Sequence, residues 1–422
     1  MLLTLMAVAL SLLPPDLADG VVVFLTVAFT VVYSNSNFME KKSVARDYMM
    51  ALALSSALTF GNFFGVKSYI IAASFVLCDI HFLLELTGLR VKFRGIPGYG
   101  ALFFIAAYTL AGVIYFRLFT HTSYTYLLFL SLVGGLSASM VEYIDVDKSI
   151  IVLLSSTVYL IFTIYAIHAT IVYLAEAFAL SLVLALISTK AGAVDESGLL
   201  SATLVGTVVI IFTDIRFFLI LLAFHAIGSA ATKYMYRVKY ERGIAEPAGG
   251  ARGYVNVFSN SLPALFFAIN YGFYGIDAFK LAFVASIATA LGDTMASEIG
   301  KTSEKVYLIT NFRRVKPGTN GGVSLKGEIA AVVGCLLVPL LALAMGMITL
   351  PYVPVAFLAS LVGVHIDSLL GATLEERGLL NNAGVNFLAT LFGGLLCFLL
   401  SSGLSGVGRV GKMLYVGRVE VK

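Results

Sequence analysis

The sequence predicts an all-α, polytopic transmembrane helical bundle of about 13–15 spans, because a helix needs about 20 apolar residues to cross a bilayer. Three observations carry this. Of the 422 residues, 59% are hydrophobic and only 12% charged, with a mean hydropathy of +0.95; a soluble domain carries about a quarter charged residues. Apolar runs recur from end to end between short polar loops. None alternates apolar with polar residues as barrel strands do, whereas a helix satisfies its own backbone polar groups, as lipid requires.

The expected spans are 2–13, 20–34, 48–64, 68–86, 98–116, 126–141, 149–166, 168–187, 199–213, 217–232, 254–274, 278–292, 327–348, 352–373 and 384–402. The first is short, but it lacks the charged n-region and A-x-A site of a cleaved signal peptide. If the loops alternate sides, one set holds 20 of the 28 Lys and Arg, and the opposite set only Lys67, Arg117, Arg216 and Lys280. The positive-inside rule makes the first set cytoplasmic, and every polar motif below falls on that side. The basic tail after residue 402 is the misfit.

Composition also excludes. Cys78, Cys335 and Cys397 lie far apart in apolar runs, so they make no disulfide framework or metal motif. The five histidines are scattered and give no zinc site or proton relay. A net charge of +4 is too small to suggest nucleic acid. "GVGRVGKM" (406–413) matches G-x-x-x-x-G-K but carries Met413 where a P-loop needs Ser or Thr.

The chain changes character near residue 165. Loops before it are brief; those from Lys190 onward fill with Gly, Asn, Asp and Lys. This divides the chain into a 1–165 helical region, which would widen a lipid-facing groove or make a homodimer contact, and a 166–422 region that holds the chemistry. Within the second, "AGAVDESGLLSATLVG" (191–206), "NGGVSLKGEIAAVVG" (320–334) and "NAGVNFLATLFGG" (382–394) read as a weak internal repeat, a small-residue loop entering an apolar helix.

"GDTMASEIGK" (292–301) closes an apolar run with charges, and charges at membrane depth mark sites. On a helix Asp293, Thr294, Ser297, Glu298 and Lys301 share one arc. In "HIDSLLGATLEE" (365–376), Asp367, Gly371 and Glu375 share another. Carboxylates beside hydroxyls suit Mg²⁺, which takes oxygen ligands and keeps waters. Asp293 and Asp367 are therefore expected to hold Mg²⁺, with Glu298 as a third ligand or behind them. "RRVKPGTNGGVSLKGE" (313–328) offers Lys316, Asn320, Gly321 and Gly322 in a turn before a helix, where backbone N–H groups bind anions. Lys190, Lys233 and Arg252 are further phosphate candidates, and Asn260, Asn382 and Asn386 are polar residues at or inside spans that need partners. The other charges of the 232–253 loop read as positive-inside bias.

"TKAGAVDESGLLSATLVG", "GSAATKYMYRVKYERG", "RGYVNVFSN", "ALGDTMASEIGK", "KPGTNGGVSLKG" and "IDSLLGATLE…NNAGVNF" resemble, in order and spacing over about residues 170–422, the motifs of one integral membrane family. It contains the plant phytyl-phosphate kinase of tocopherol and phylloquinone synthesis and uncharacterised archaeal, bacterial and animal transmembrane relatives. The resemblance implies a CTP-preferring kinase that converts an isoprenyl monophosphate, such as phytyl or geranylgeranyl phosphate, to the diphosphate. It implies Lys190, Lys233, Arg252, Asn260, Asp293, Ser297, Glu298, Asn320, Asp367, Asn382 and Asn386 as site positions. The expected partners are CTP or another nucleoside triphosphate, the lipid monophosphate and membrane lipids. Two other classes use the same features: a transporter or flippase of an isoprenoid or phospholipid, and a cytidylyltransferase that makes a CDP-lipid.

Overall fold

A computed structural model describes residues 68–119, 123–144, 150–165 and 169–404, with Leu17, Gly20, Val21 and Phe24 as isolated positions. The expected spans at 2–13 and 48–64, the 20–34 span apart from Gly20, Val21 and Phe24, His121, His168, the 406–413 stretch and the basic tail lie outside the described residues. The chain divides into two compact units, 1–207 and 208–422; the composition change near 165 falls inside the first.

In the first unit the described helices are α1 (Ser68–Leu86), α2 (Leu89–Arg94), α3 (Tyr99–Phe119), α4 (Tyr124–Val141), α5 (Ile150–Ile164) and α6 (Ile171–Lys190), followed by α7 (Glu196–Phe212), which runs past its end. Helices α1, α3, α4 and α5 pack side by side. Small residues let α4 sit deep among them: a Cβ on Gly135 would fall 2.9 Å from the Thr109 backbone nitrogen. Just beyond α4, the fully buried Glu142 accepts from Arg90 Nε at 2.8 Å, lies 2.8 Å from His81 Nδ1 and accepts from the Tyr108 hydroxyl. Burial alone would raise its pKa, but the bonds from His81, Tyr108 and Arg90 win and hold it at about 2.

The second unit holds α8 (Ile215–Lys233), α9 (Tyr236–Glu241), α10 (Tyr254–Tyr274), α11 (Asp277–Gly300), α12 (Leu325–Ala344), α13 (Val353–Leu370) and α14 (Asn382–Leu404). α11 is its axis and packs against α8, α10, α12, α13 and α14. Its buried side is mostly small, with Ala282, Ala285, Ala288, Thr289 and Gly292, so five helices can approach closely. The tightest crossing is with α12, where a Cβ on Gly334 would lie 2.8 Å from Gly292 Cα. α11 also runs to Gly300, well past the expected end of its span at 292, because the motif that follows stays helical and two-faced.

Between α11 and α12 the chain makes a small antiparallel sheet that the all-helical reading does not foresee. Its strands β1 (Val306–Leu308), β2 (Arg314–Val315) and β3 (Gly322–Val323) lie in the order β2-β1-β3, with Tyr307 opposite Arg314 on one side and Val323 on the other. Strands this short carry almost no period-2 signal.

Eight described helices are long and apolar enough to span a membrane: α3, α4, α6, α8, α11, α12, Leu350–Glu375 including α13, and α14. α5 and α7 are apolar but shorter. α1 and α10 carry polar residues along their length, among them Asp79 and Glu85 in the first and Asn256, Asn260 and Asn270 in the second.

All three repeat copies lie at capped helix starts with a glycine three residues after the cap, but only the first two share a register. Gly198 N donates to Asp195 Oδ1 at 2.8 Å, Gly327 N to Ser324 Oγ at 3.2 Å and Gly384 N to Asn381 Oδ1 at 2.9 Å. In the third copy the cap, Asn381, stands five residues before Asn386, the residue that its sequence match aligns with Asp195 and Ser324.

Gly334→Leu should destabilise the second unit by about 1–3 kcal/mol or more through overpacking, read as a lower thermal midpoint in detergent. Val332→Leu, two residues earlier on the opposite, exposed face of α12, should change it by less than about 0.5 kcal/mol. The depressed pKa of Glu142 stabilises the fold above the ordinary carboxylate range, and that contribution is lost as pH falls through about 2. Glu142→Gln should therefore flatten the acid-side loss of amide-exchange protection in α1 and α4.

Candidate functional site

The end of the second unit where α10, α12 and α14 begin and α11 and α13 finish encloses a cavity of about 440 Å³. This arrangement has an electrostatic consequence. Three helix N-termini bring partial positive charge and unpaired N–H groups, while the last turns of the two opposed helices bring carboxylates.

Asp293 on α11 and Asp367 on α13 meet there in hydrogen-bond contact. Both line the cavity. In the amide orientation that satisfies all its partners, Asn386 of α14 donates to Asp367 Oδ2 at 3.3 Å and to the Asn382 carbonyl at 3.2 Å. Two carboxylates this close repel unless a proton or a cation lies between them.

The whole arc expected on the 293–301 helix faces the cavity: Asp293, Thr294, Ser297, Glu298 and Lys301. So do Asp367, Gly371 and Glu375, although α13 widens into a π turn at Gly371–Glu375. Single π turns of this kind recur at functional sites. Opposite stands Arg252, one residue before the N-cap of α10. It donates to Thr232 Oγ1 at 3.4 Å and lies over the Phe224 ring at 5.7 Å. Burial pushes its pKa below the usual arginine value, against the pull of Glu298, Glu246 and Asp293. Among the described residues it has no salt-bridge partner, so the cavity holds a guanidinium that an outside anion can pair with.

The glycine turn forms another wall. Gly318, Thr319, Asn320, Gly321 and Gly322 line the cavity. Gly321 has φ +69, and a Cβ there would fall 2.5 Å from the Ser368 carbonyl oxygen. Only glycine lets this turn lie against the end of α13.

The sequence reading departs from the structure at three residues of the second unit. Glu298 does not stand free as a third metal ligand. It is buried, and its oxygens pair with the fully buried Lys239 and, at 2.7 Å, with Lys301. Lys301 also bridges to Glu246 at 2.9 Å. Burial would lower the pKa of Lys301, but Glu298 and Glu246 more than offset that and raise it. Lys233 and Lys316 are exposed and do not line the cavity. Lys190 is exposed at the last turn of α6, in the first unit. Among the described residues no three acidic, His or Cys side chains form a metal cage by themselves.

Lys239 was missed because it stands in a run of surface cations, "YRVKYE", with nothing local to single it out. It donates to the Thr232 carbonyl at 2.7 Å as well as to Glu298. Arg242 completes this support by donating to the carbonyls of Lys301 at 2.8 Å and Ser303 at 3.0 Å, which would otherwise be open at the end of α11.

A model of the integral membrane protein family DUF92 matches residues 179–394. The chain belongs to this family. Its DUF92 region contains every residue that lines the cavity. Two relatives carry the name uncharacterized membrane protein. One, from Methanocaldococcus jannaschii, is 33% identical over 220 residues, 52% of this chain and 90% of its own. The other, from Synechocystis, is 35% identical over 184 residues, 42% of this chain and 71% of its own. Protein VTE6, chloroplastic, of Arabidopsis thaliana is 33% identical over 216 residues, 49% of this chain and 65% of its own. No solved structure matches the chain.

Lys239→Met should leave Glu298 short of one buried partner and cost about 3 kcal/mol. Thermal unfolding in detergent measures it. The pair variant Lys239→Met with Glu298→Gln should recover part of that loss, because the unpaired buried charge is gone.

Proposed function

We propose that the second unit is a kinase that transfers the γ-phosphate of CTP to an isoprenyl monophosphate, such as phytyl or geranylgeranyl phosphate, at the cytoplasmic membrane face. One observation carries the reading. A half-buried pair of carboxylates, Asp293 and Asp367, lines one cavity with Arg252, a cation that has no acidic partner among the described residues. The resemblance of the motifs to the family of the plant phytyl-phosphate kinase supports the same chemistry, and positive-inside bias supports the side.

Phosphoryl transfer asks for positioning and charge neutralisation and for little covalent help. Mg²⁺ is bound through one or two carboxylates, with waters and substrate phosphate oxygens completing its shell. Asp293 and Asp367 fit that donor set, with Asn386 fixing Asp367. Bound there, Mg²⁺ would neutralise the β- and γ-phosphates of the nucleotide.

The protein's own groups supply the rest. Arg252 pairs with phosphate oxygens. The N–H groups at the starts of α12 and α14 and along the 318–322 turn donate to them. Glu298, held by Lys239 and Lys301, fixes the last turns of α11 and so the aim of Asp293. The lipid monophosphate is already an oxyanion, so no protein base has to remove a proton. Its oxygen attacks the γ-phosphorus, a new P–O bond forms, and the bond to the β-phosphate oxygen breaks to release the nucleoside diphosphate.

Purified protein with CTP, Mg²⁺ and geranylgeranyl phosphate should release CDP and geranylgeranyl diphosphate. Release of pyrophosphate would instead identify a cytidylyltransferase, and release of neither would leave transport. Asp293→Asn should lower kcat by at least about a hundredfold with the thermal midpoint retained. Arg252→Lys should not restore what Arg252→Ala loses in kcat/KM, since a point charge does not replace a bidentate fork. Normal activity in Asp293→Asn would refute the assignment.

A further inference from the structure

Glu328 on α12 and His365 on α13 form an ion pair, His365 Nε2 to Glu328 Oε2 at 3.3 Å, and both line the cavity. The His365 ring is fixed from its other side, with Nδ1 bonded to the Leu361 carbonyl at 2.8 Å. The pair lies where a membrane helix should be apolar. At about 100° per residue, His365 sits on the exposed face of α13, within about 60° of Leu358, Val362 and Leu369. Glu328 borders the exposed face of α12, next to Leu325 and Val332. The two side chains are 45% and 40% exposed.

Polar groups on the outward side of two spans are costly. Here they are also the rim of the cavity. One turn further along the seam the helices close, with Ala331, Cys335 and Val364 packed together. The cavity wall between α12 and α13 is therefore bounded by this pair, and an apolar strip continues from it along the outer faces of both helices.

We propose that the seam between α12 and α13, bridged by the Glu328–His365 pair, is a lateral portal, and that the strip beyond it binds the hydrocarbon chain of the lipid substrate while its phosphate stays at Asp293, Asp367 and Arg252. The identity of the occupant, an isoprenyl chain, rests on the kinase reading; the place of the opening does not. The occupant follows from continuity. A lipid monophosphate has a charged end that the cavity suits and a chain that needs an uninterrupted apolar path into the bilayer. The pair marks where the one passes into the other.

The full-length protein in detergent is labelled with geranylgeranyl phosphate that carries a photoreactive diazirine near the chain end, and the labelled peptides are mapped by mass spectrometry. The expected label falls on 325–340 and 354–369 and is competed by unlabelled geranylgeranyl phosphate. Glu328→Cys with His365→Cys, bridged by a short bis-methanethiosulfonate cross-linker, should reduce that label at least fivefold, and reduction should restore it; the native cysteines Cys78, Cys335 and Cys397 are buried and do not compete. Val332→Trp with Val362→Trp, which blocks the strip without a cross-link, should raise KM for geranylgeranyl phosphate about tenfold and leave KM for CTP unchanged. Label on other helices, or label unchanged by both the cross-link and the tryptophans, overturns the portal. Correct labelling without CDP release would instead overturn the kinase reading and leave the portal standing.

Discussion

Everything in the second unit depends on holding two carboxylates together inside a bundle that is otherwise apolar. Asp293 and Asp367 repel each other when both are charged, and removing each in part from water adds to the cost. The fold answers with geometry. α11 is lined with alanine, glycine, serine and threonine, so α12, α13 and α14 come close enough to enclose it, and the Gly292–Gly334 crossing fixes its height against α12. Thr289 does the same for α13, since a Cβ on Gly363 would fall 2.8 Å from its hydroxyl. With α11 and α13 locked in register, the two acids meet.

The last turns of α11 need separate support, because they leave the apolar core and carry the charged arc. That support is the chain of alternating charges Lys239, Glu298, Lys301 and Glu246. A buried ion pair adds little net stability compared with apolar residues of the same volume, but breaking it is expensive. Such a chain therefore specifies one arrangement more than it strengthens the fold. The arrangement it specifies is the direction in which α11 presents Asp293 and Ser297.

The helices were legible because apolar length is a strong signal: α1 coincides with its expected bounds, and α10 does too. The two-faced arc of 293–301 and the Asp367, Gly371, Glu375 face were also legible, since helical spacing alone decides which side chains share a side. What sequence could not supply was the partner across space. Glu298 looked like a ligand because its own helix puts it beside Asp293; only the tertiary fold brings Lys239 to it from a loop that reads as ordinary positive bias. Lys233 and Lys316 had the right charge and the right neighbours in sequence, but a helix end and an exposed strand end leave them outside the cavity lining. His365 looked isolated for the converse reason. Its partner Glu328 lies on another helix, and scattered histidines acquire meaning only from such a pairing.

The position of the cavity bears on which class of activity it suits. Carriers with alternating access place their polar site near the middle of the bilayer, between broken helices, so that it can open to either side. Here α11 runs unbroken from Asp277 to Gly300, and its polar arc occupies only the final turns. The cavity gathers three helix starts against two helix ends, which places it at one end of the bundle by construction. A soluble nucleotide and a lipid phosphate can meet only where water and hydrocarbon meet. A one-ended polar cavity, with a glycine turn in its wall and an apolar strip at its border, fits the proposed meeting of nucleotide and lipid phosphate better than it fits passage across.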